Sequence, residues 1–114
     1  MDYKTARSFL ITQGTASDDT ADAFLVRLKQ GKAPVPGQVT NILLALKIAF
    51  EALRSASSLD RELIYGLYLL SYESRQLFEA GRQAGVTWPP LLEEDLKRID
   101  RAVKSIFAGV WQSQ

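Results

Sequence analysis

The sequence contains no cysteine and no histidine. Without cysteine there can be no disulfide framework, no thiolate metal site and no cysteine nucleophile. Without histidine the commonest general base and the commonest metal ligand are both missing. An excess of one charge is absent too: 14 Lys and Arg against 13 Asp and Glu leave a net charge of +1 over 114 residues. Acids and bases interleave along the chain, which argues against nucleic-acid binding by bulk electrostatics, where affinity comes from clustered Lys and Arg. Long apolar runs are also lacking. Lys47 and Glu51 interrupt the best candidate, well short of the ~20 residues a membrane span needs. The opening MDYKTARSFLITQG begins with an acid and has too short an apolar run for a signal peptide. A cytoplasmic location is therefore expected. No stretch alternates with a period of two, so no strand is expected either.

What the chain does have is helical periodicity. Hydrophobic residues make up 46% of the sequence and charged ones 24%, the composition of one globular domain. The most apolar stretch, Gln38–Ser57, places Ile42, Leu43, Leu46, Phe50 and Leu53 on one arc and Ala45, Ala49, Ala52 and Ala56 on an adjoining stripe. A helix apolar over more than half its surface must be covered by several neighbours, so it reads as the central helix of an all-α domain. The small alanines let one neighbour approach closely, either another helix of the chain or the same helix of a second copy across a two-fold axis.

Ahead of it, Asp2–Gln13 reads as a short helix with Asp2 as N-cap and Gly14 as its stop. Ala21, Phe24, Leu25 and Leu28 mark a second helix over Asp18–Gln30, capped by Ser17 or Asp18 and closed by Gly31. Pro34 and Pro36 forbid helix between Lys32 and Gly37, leaving an extended strap. After the central helix, residues 56–60 form a tight connection whose serines can cap the next helix, which the short loop makes its antiparallel neighbour. That helix, residues 60–84, carries a leucine arc (Leu63, Leu67, Leu70, Leu77, with Phe78) and a tyrosine arc (Tyr65, Tyr68, Tyr72). The last helix, residues 89–111, starts at Trp88-Pro89-Pro90 and shows one stripe of Leu92, Leu96, Ile99, Val103, Ile106, Phe107 and Val110. The expected architecture is a bundle of about five helices: an N-terminal pair (1–31) strapped by residues 32–37 to a three-helix core (38–114).

The phrases PVPGQVTNILLALKIAFEALR (34–54), LDRELIYGLYLL (59–70), ESRQLFEAGRQAGVTWPPLL (73–92) and AVKSIFAGVW (102–111) together resemble a family of small, poorly characterised cyanobacterial helical proteins. The resemblance implies a cyanobacterial cytoplasm and no chemistry. Members of that family sometimes carry the label dethiobiotin synthetase, an ATP-using class that needs a phosphate-binding loop ending in Gly-Lys-Ser or Gly-Lys-Thr. Here Gly31-Lys32 is followed by Ala33 and preceded by no strand, so the sequence does not support the label.

Several groups of residues bear on function. Tyr65, Tyr68 and Tyr72, with Arg75 beside them, are either buried with their hydroxyls reaching water or a protein-binding surface, since tyrosine offers large area and a polar tip. Self-association, a protein partner and a small-ligand pocket between helices all remain open. Glu73, Arg75, Glu79 and Arg82 read as surface pairs, Arg75 with Glu79 and Glu79 with Arg82, rather than as an acid–base pair. Glu93-Glu94-Asp95 matches a helix dipole and points in too many directions for a metal. The first two helices have helix-turn-helix spacing, but the acids opening the second would meet phosphate. Trp88 reads as a clamp at a helix start and Trp111 as a last core anchor or docking tag. The expectation is a non-catalytic protein-interaction module without cofactor, metal or catalytic residues, whose face is Tyr65, Tyr68, Tyr72 and Arg75. The alternative is a small-molecule-sensing helical domain.

Overall fold

Four of the five helices begin or end at a residue whose chemistry accounts for the boundary. In the computed structural model, which describes residues 1–15 and 22–112, Asp2 Oδ1 accepts a hydrogen bond from the Thr5 N–H at 2.8 Å and opens α1 (Tyr3–Thr15). Helix α2 is Phe24–Lys29 and α3 is Gln38–Leu53. Asp60 Oδ1 accepts from the Glu62 N–H at 3.2 Å and opens α4. This helix runs through Arg61–Tyr68, a π-helical turn at Leu69–Glu73, and Ser74–Gln83 without a break. Helix α5 is Leu92–Ala108. Gly31, Gly85 and Gly109 follow α2, α4 and α5 with φ of +71°, +93° and +72°, the left-handed step that ends a helix and suits glycine. Among the described residues every regular element is helical, and the all-α bundle of five helices is as expected.

The packing order differs from the expectation. Helix α1 packs on both α3 and α4, and α5 packs on both α3 and α4, so α3 and α4 face each other across the bundle rather than side by side. At roughly 3.3 Å per extended residue, the link over residues 54–60 reaches about 20 Å, enough to cross the end of a bundle. Nor is the N-terminal helix an accessory strapped to a three-helix core. Ala6 and Leu10 are fully buried, and one hydrophobic cluster draws on all five helices. Helix α1 holds its place through an ion-pair cluster as well. Arg7 donates from Nε to Asp60 Oδ2 and from its terminal nitrogen to Glu62 Oε1 at 2.9 Å. The carboxylate that caps α4 thus also ties it to the start of α1.

Gly14 does something other than stop α1. The helix continues through it to Thr15, and Gly14 is buried where α1 crosses α4. A Cβ on Gly14 would lie 2.5 Å from the Gly66 carbonyl oxygen. Glycine is needed here for closeness, not for a left-handed turn.

A second device holds α1, α2, the strap and α3 together. Gln13 and Gln38 are both buried, with 8% of their surface exposed. Gln13 Oε1 accepts from the Phe24 N–H at 2.8 Å, satisfying an orphan donor at the start of α2, and from Gln38 Nε2 at 2.9 Å. Gln38 Nε2 also donates to the Asp22 carbonyl at 2.7 Å, and Gln38 Oε1 accepts from the Val35 N–H at 3.0 Å. Ser17 and Asp18, the caps expected for α2, lie outside the described residues, as does the first part of the helix expected over Asp18–Gln30.

The apolar patterns of α3 and α5 are buried or half-buried with four exceptions. Leu92, Leu96, Ile99, Val103 and Ile106 of α5 are buried, but Phe107 and Val110 are exposed because the helix ends at Ala108 and Gly109 turns the chain away. Of the alanine stripe, Ala45 and Ala49 are fully buried within the chain, whereas Ala52 and Ala56 are exposed at and beyond the end of α3.

Candidate functional site

Helix α4 resolves its two arcs in opposite ways. Leu63, Leu67 and Leu70 are fully buried, whereas Tyr65, Tyr68 and Tyr72 keep 59%, 47% and 49% of their surface in solvent. The tyrosines are therefore not core. Among the described residues the leucine side is covered by α1 over the first half of α4 and by α2 and α5 over the second. Tyr68 and Tyr72 stack with ring centroids 5.4 Å apart and planes inclined by 17°. Each ring thereby restrains the other in a geometry that offers a flat aromatic surface.

The tyrosine face coincides with the π-helical turn, which no residue pattern in the sequence announces. At its end the Ser74 N–H bonds the Leu69 carbonyl instead of that of Leu70. The fully buried Ser74 hydroxyl donates to the Leu70 carbonyl, the acceptor this change of register abandons. Such turns are rare and often sit at functional sites.

Arg75 does not join the tyrosines. It reaches toward α5, where its guanidinium lies 4.0 Å from Asp100, and it lines a small recess with Phe78, Glu79, Glu93 and Leu96. Of the two pairs expected on this helix, Glu79 with Arg82 forms at 2.9 Å, while Arg75 turns to Asp100 instead of Glu79; Arg82 also lies 3.6 Å from Glu93. The three acids opening α5 each take a separate base: Glu93 takes Arg82, Glu94 takes Lys97 at 3.3 Å and Asp95 takes Arg98 at 3.8 Å. Among the described residues no three acids converge as metal ligands would. Among the described residues two carboxyls, Asp2 and Asp60, titrate below the usual aspartate range. Asp60 does so through its hydrogen bond from Arg7, and Asp2 through the Thr5 N–H. Both belong to helix starts.

Trp88 is a clamp. Its indole stacks on Phe78 at 5.9 Å and donates to the Phe78 carbonyl at 2.9 Å. It fits there because Gly81 has no side chain: a Cβ at that position would stand 2.4 Å from the ring. Trp111 is not fully buried; it rests edge-on against Phe50 at 5.2 Å, with the Lys47 ammonium 3.8 Å from its ring centroid.

Compared with protein-family models, with curated proteins and with solved structures, the chain matches none of them. Among the described residues no helix is long and apolar enough to cross a membrane.

Proposed function

We propose that the protein is a non-catalytic interaction module whose binding face is the tyrosine side of α4. The observation that carries this reading is the exposure of Tyr65, Tyr68 and Tyr72 on one helix, two of them stacked. Tyrosines are enriched at protein interfaces because they bring large, rigid area with a polar tip. The apolar surface continues beyond them. Ile64, one helical turn before Tyr68, lines a groove with Leu53, Leu59, Ile106 and the exposed Phe107. Arg75 stands beyond the opposite end of the face, turned toward Asp100 of α5 with half of its side chain exposed. A rim charge of this kind affects association rate and salt dependence more than affinity.

The occupant is a second copy or another protein, and one experiment addresses both. Replacing Tyr65 and Tyr72 together by Ser removes exposed aromatic area and no core contact. The variant is expected to melt within about 1 kcal/mol of the parent, as surface changes do. It should lose whatever self-association light scattering detects for the parent, or the partner the parent captures. Unchanged association in a folded variant would reject the tyrosine face. Small-molecule recognition, the alternative, draws on a different surface between α3 and α5.

A further inference from the structure

Helices α3 and α5 run side by side in the same direction: Val39 and Leu92 line a recess at their starts, and the Arg54 carbonyl meets Gly109 at their ends. Between them lies a groove of about 410 Å³ lined by Leu43, Lys47, Arg98, Arg101, Ala102, Trp111 and Gln112. That volume falls within the ~300–1,000 Å³ typical of small-ligand sites. Past Gly109 the chain folds back to close one end. Gln112 is pinned there, its N–H donating to the buried Ser105 hydroxyl at 2.7 Å.

The lining is chemically lopsided. Among the described residues it holds three cations and no acid. Lys47 and Arg98 each have an acid on their own helix, Glu51 at 3.5 Å and Asp95 at 3.8 Å, in exposed pairs that bind weakly. Arg101 is half-buried, and among the described residues its guanidinium has no ion pair. A planar guanidinium beside an aliphatic floor (Leu43, Ala102) and a restrained indole is suited to two halves of one molecule: an oxyanion on the fork and a flat apolar body on the wall. The apolar part would gain from burial, and the anion would relieve the repulsion among the three cations.

We infer that the groove between α3 and α5 is a binding site for a small aromatic acid, with Arg101 and Lys47 holding its anionic group and Trp111, Leu43 and Ala102 contacting its ring. The site shares no residue with the tyrosine face, so it stands or falls independently of that reading.

The test uses two probes of one shape and different charge, naphthalene-2-carboxylate and the neutral naphthalene-2-methanol, followed by NMR of the full chain. The two tryptophans give two indole N–H signals. Trp88, bonded to the Phe78 carbonyl, serves as the internal control. The carboxylate is expected to shift the Trp111 signal saturably and leave Trp88 in place. The alcohol should bind at least tenfold more weakly, the factor that ~1.4 kcal/mol represents. Arg101→Gln and Lys47→Gln are each expected to weaken the carboxylate by about tenfold and leave the alcohol unchanged. Equal binding of acid and alcohol would reduce the groove to a greasy patch and overturn the inference. So would saturation of the parent without movement of Trp111, or undiminished acid binding in a folded Arg101→Gln. Because the two-probe comparison runs on the parent, it decides the matter even if a variant fails to fold.

Discussion

The crossing of α1 and α4 offers a sharp test because two glycines meet there with opposite tolerances. At Gly14 an added Cβ would lie 2.5 Å from the Gly66 carbonyl oxygen, a backbone atom that cannot rotate away. At Gly66 an added Cβ would lie 3.4 Å from Ile11 Cα and 3.7 Å from the Leu10 oxygen, which is ordinary contact. Gly→Ala inside a helix gains up to ~1 kcal/mol of helix propensity at either site. Gly14→Ala must set against that an overpacking cost of about 1–3 kcal/mol. The upper end applies, since the obstacle is another helix's backbone and separating the helices would loosen Leu10, Leu63 and Leu67, all fully buried. The expected result is a loss of about 2 kcal/mol for Gly14→Ala and a gain of up to ~1 kcal/mol for Gly66→Ala. In urea melts followed by far-UV circular dichroism, with a slope of ~1–3 kcal/mol per M, the first variant should lose about 1–2 M in midpoint and the second should rise slightly. Equal shifts in the same direction, or a neutral Gly14→Ala, would refute the close crossing.

Other perturbations follow from the same contacts. Gln38→Ala removes its bonds to the Asp22 carbonyl and the Val35 N–H, and should cost about 1–3 kcal/mol in the same melts, at ~0.5–1.5 kcal/mol for each bond lost between partly buried groups. Gly81→Ala should displace Trp88, seen as loss of near-UV ellipticity and a shift in the Trp88 indole N–H signal, because the new methyl would occupy the ring's position. Asp60 is held below its ordinary range by Arg7, so the stability it contributes is present above the unfolded value and lost as pH falls through the lowered one. The parent's urea midpoint should therefore decline below about pH 4, and Asp60→Asn should flatten that decline while starting from a lower midpoint at pH 7. An equally steep fall in the variant would remove Asp60 from the account.

What is local was legible in the sequence. Period, capping residues and left-handed glycines act within one or two turns, so the number of helices, the Asp2 cap, the stops at Gly31 and Gly85, and the buried stripe from Leu92 to Ile106 could all be read from it, whereas the last helix, expected to run to residue 111, ends at Ala108 before Gly109. Whatever depends on which helix packs against which emerged only from the packed bundle. Leucine and tyrosine arcs on α4 are both apolar enough to bury, and only the positions of α1, α2 and α5 exclude the tyrosines from the core. Gly14 resembled a helix stop because glycine in a sequence does not distinguish a need for positive φ from a need for closeness; the carbonyl of Gly66, far along the chain, makes that distinction. The same holds for Gln13 with Gln38, and for Lys47 with Arg101. Neither pair has a periodic signature, because each is joined by packing between helices whose order around the bundle the local pattern does not encode.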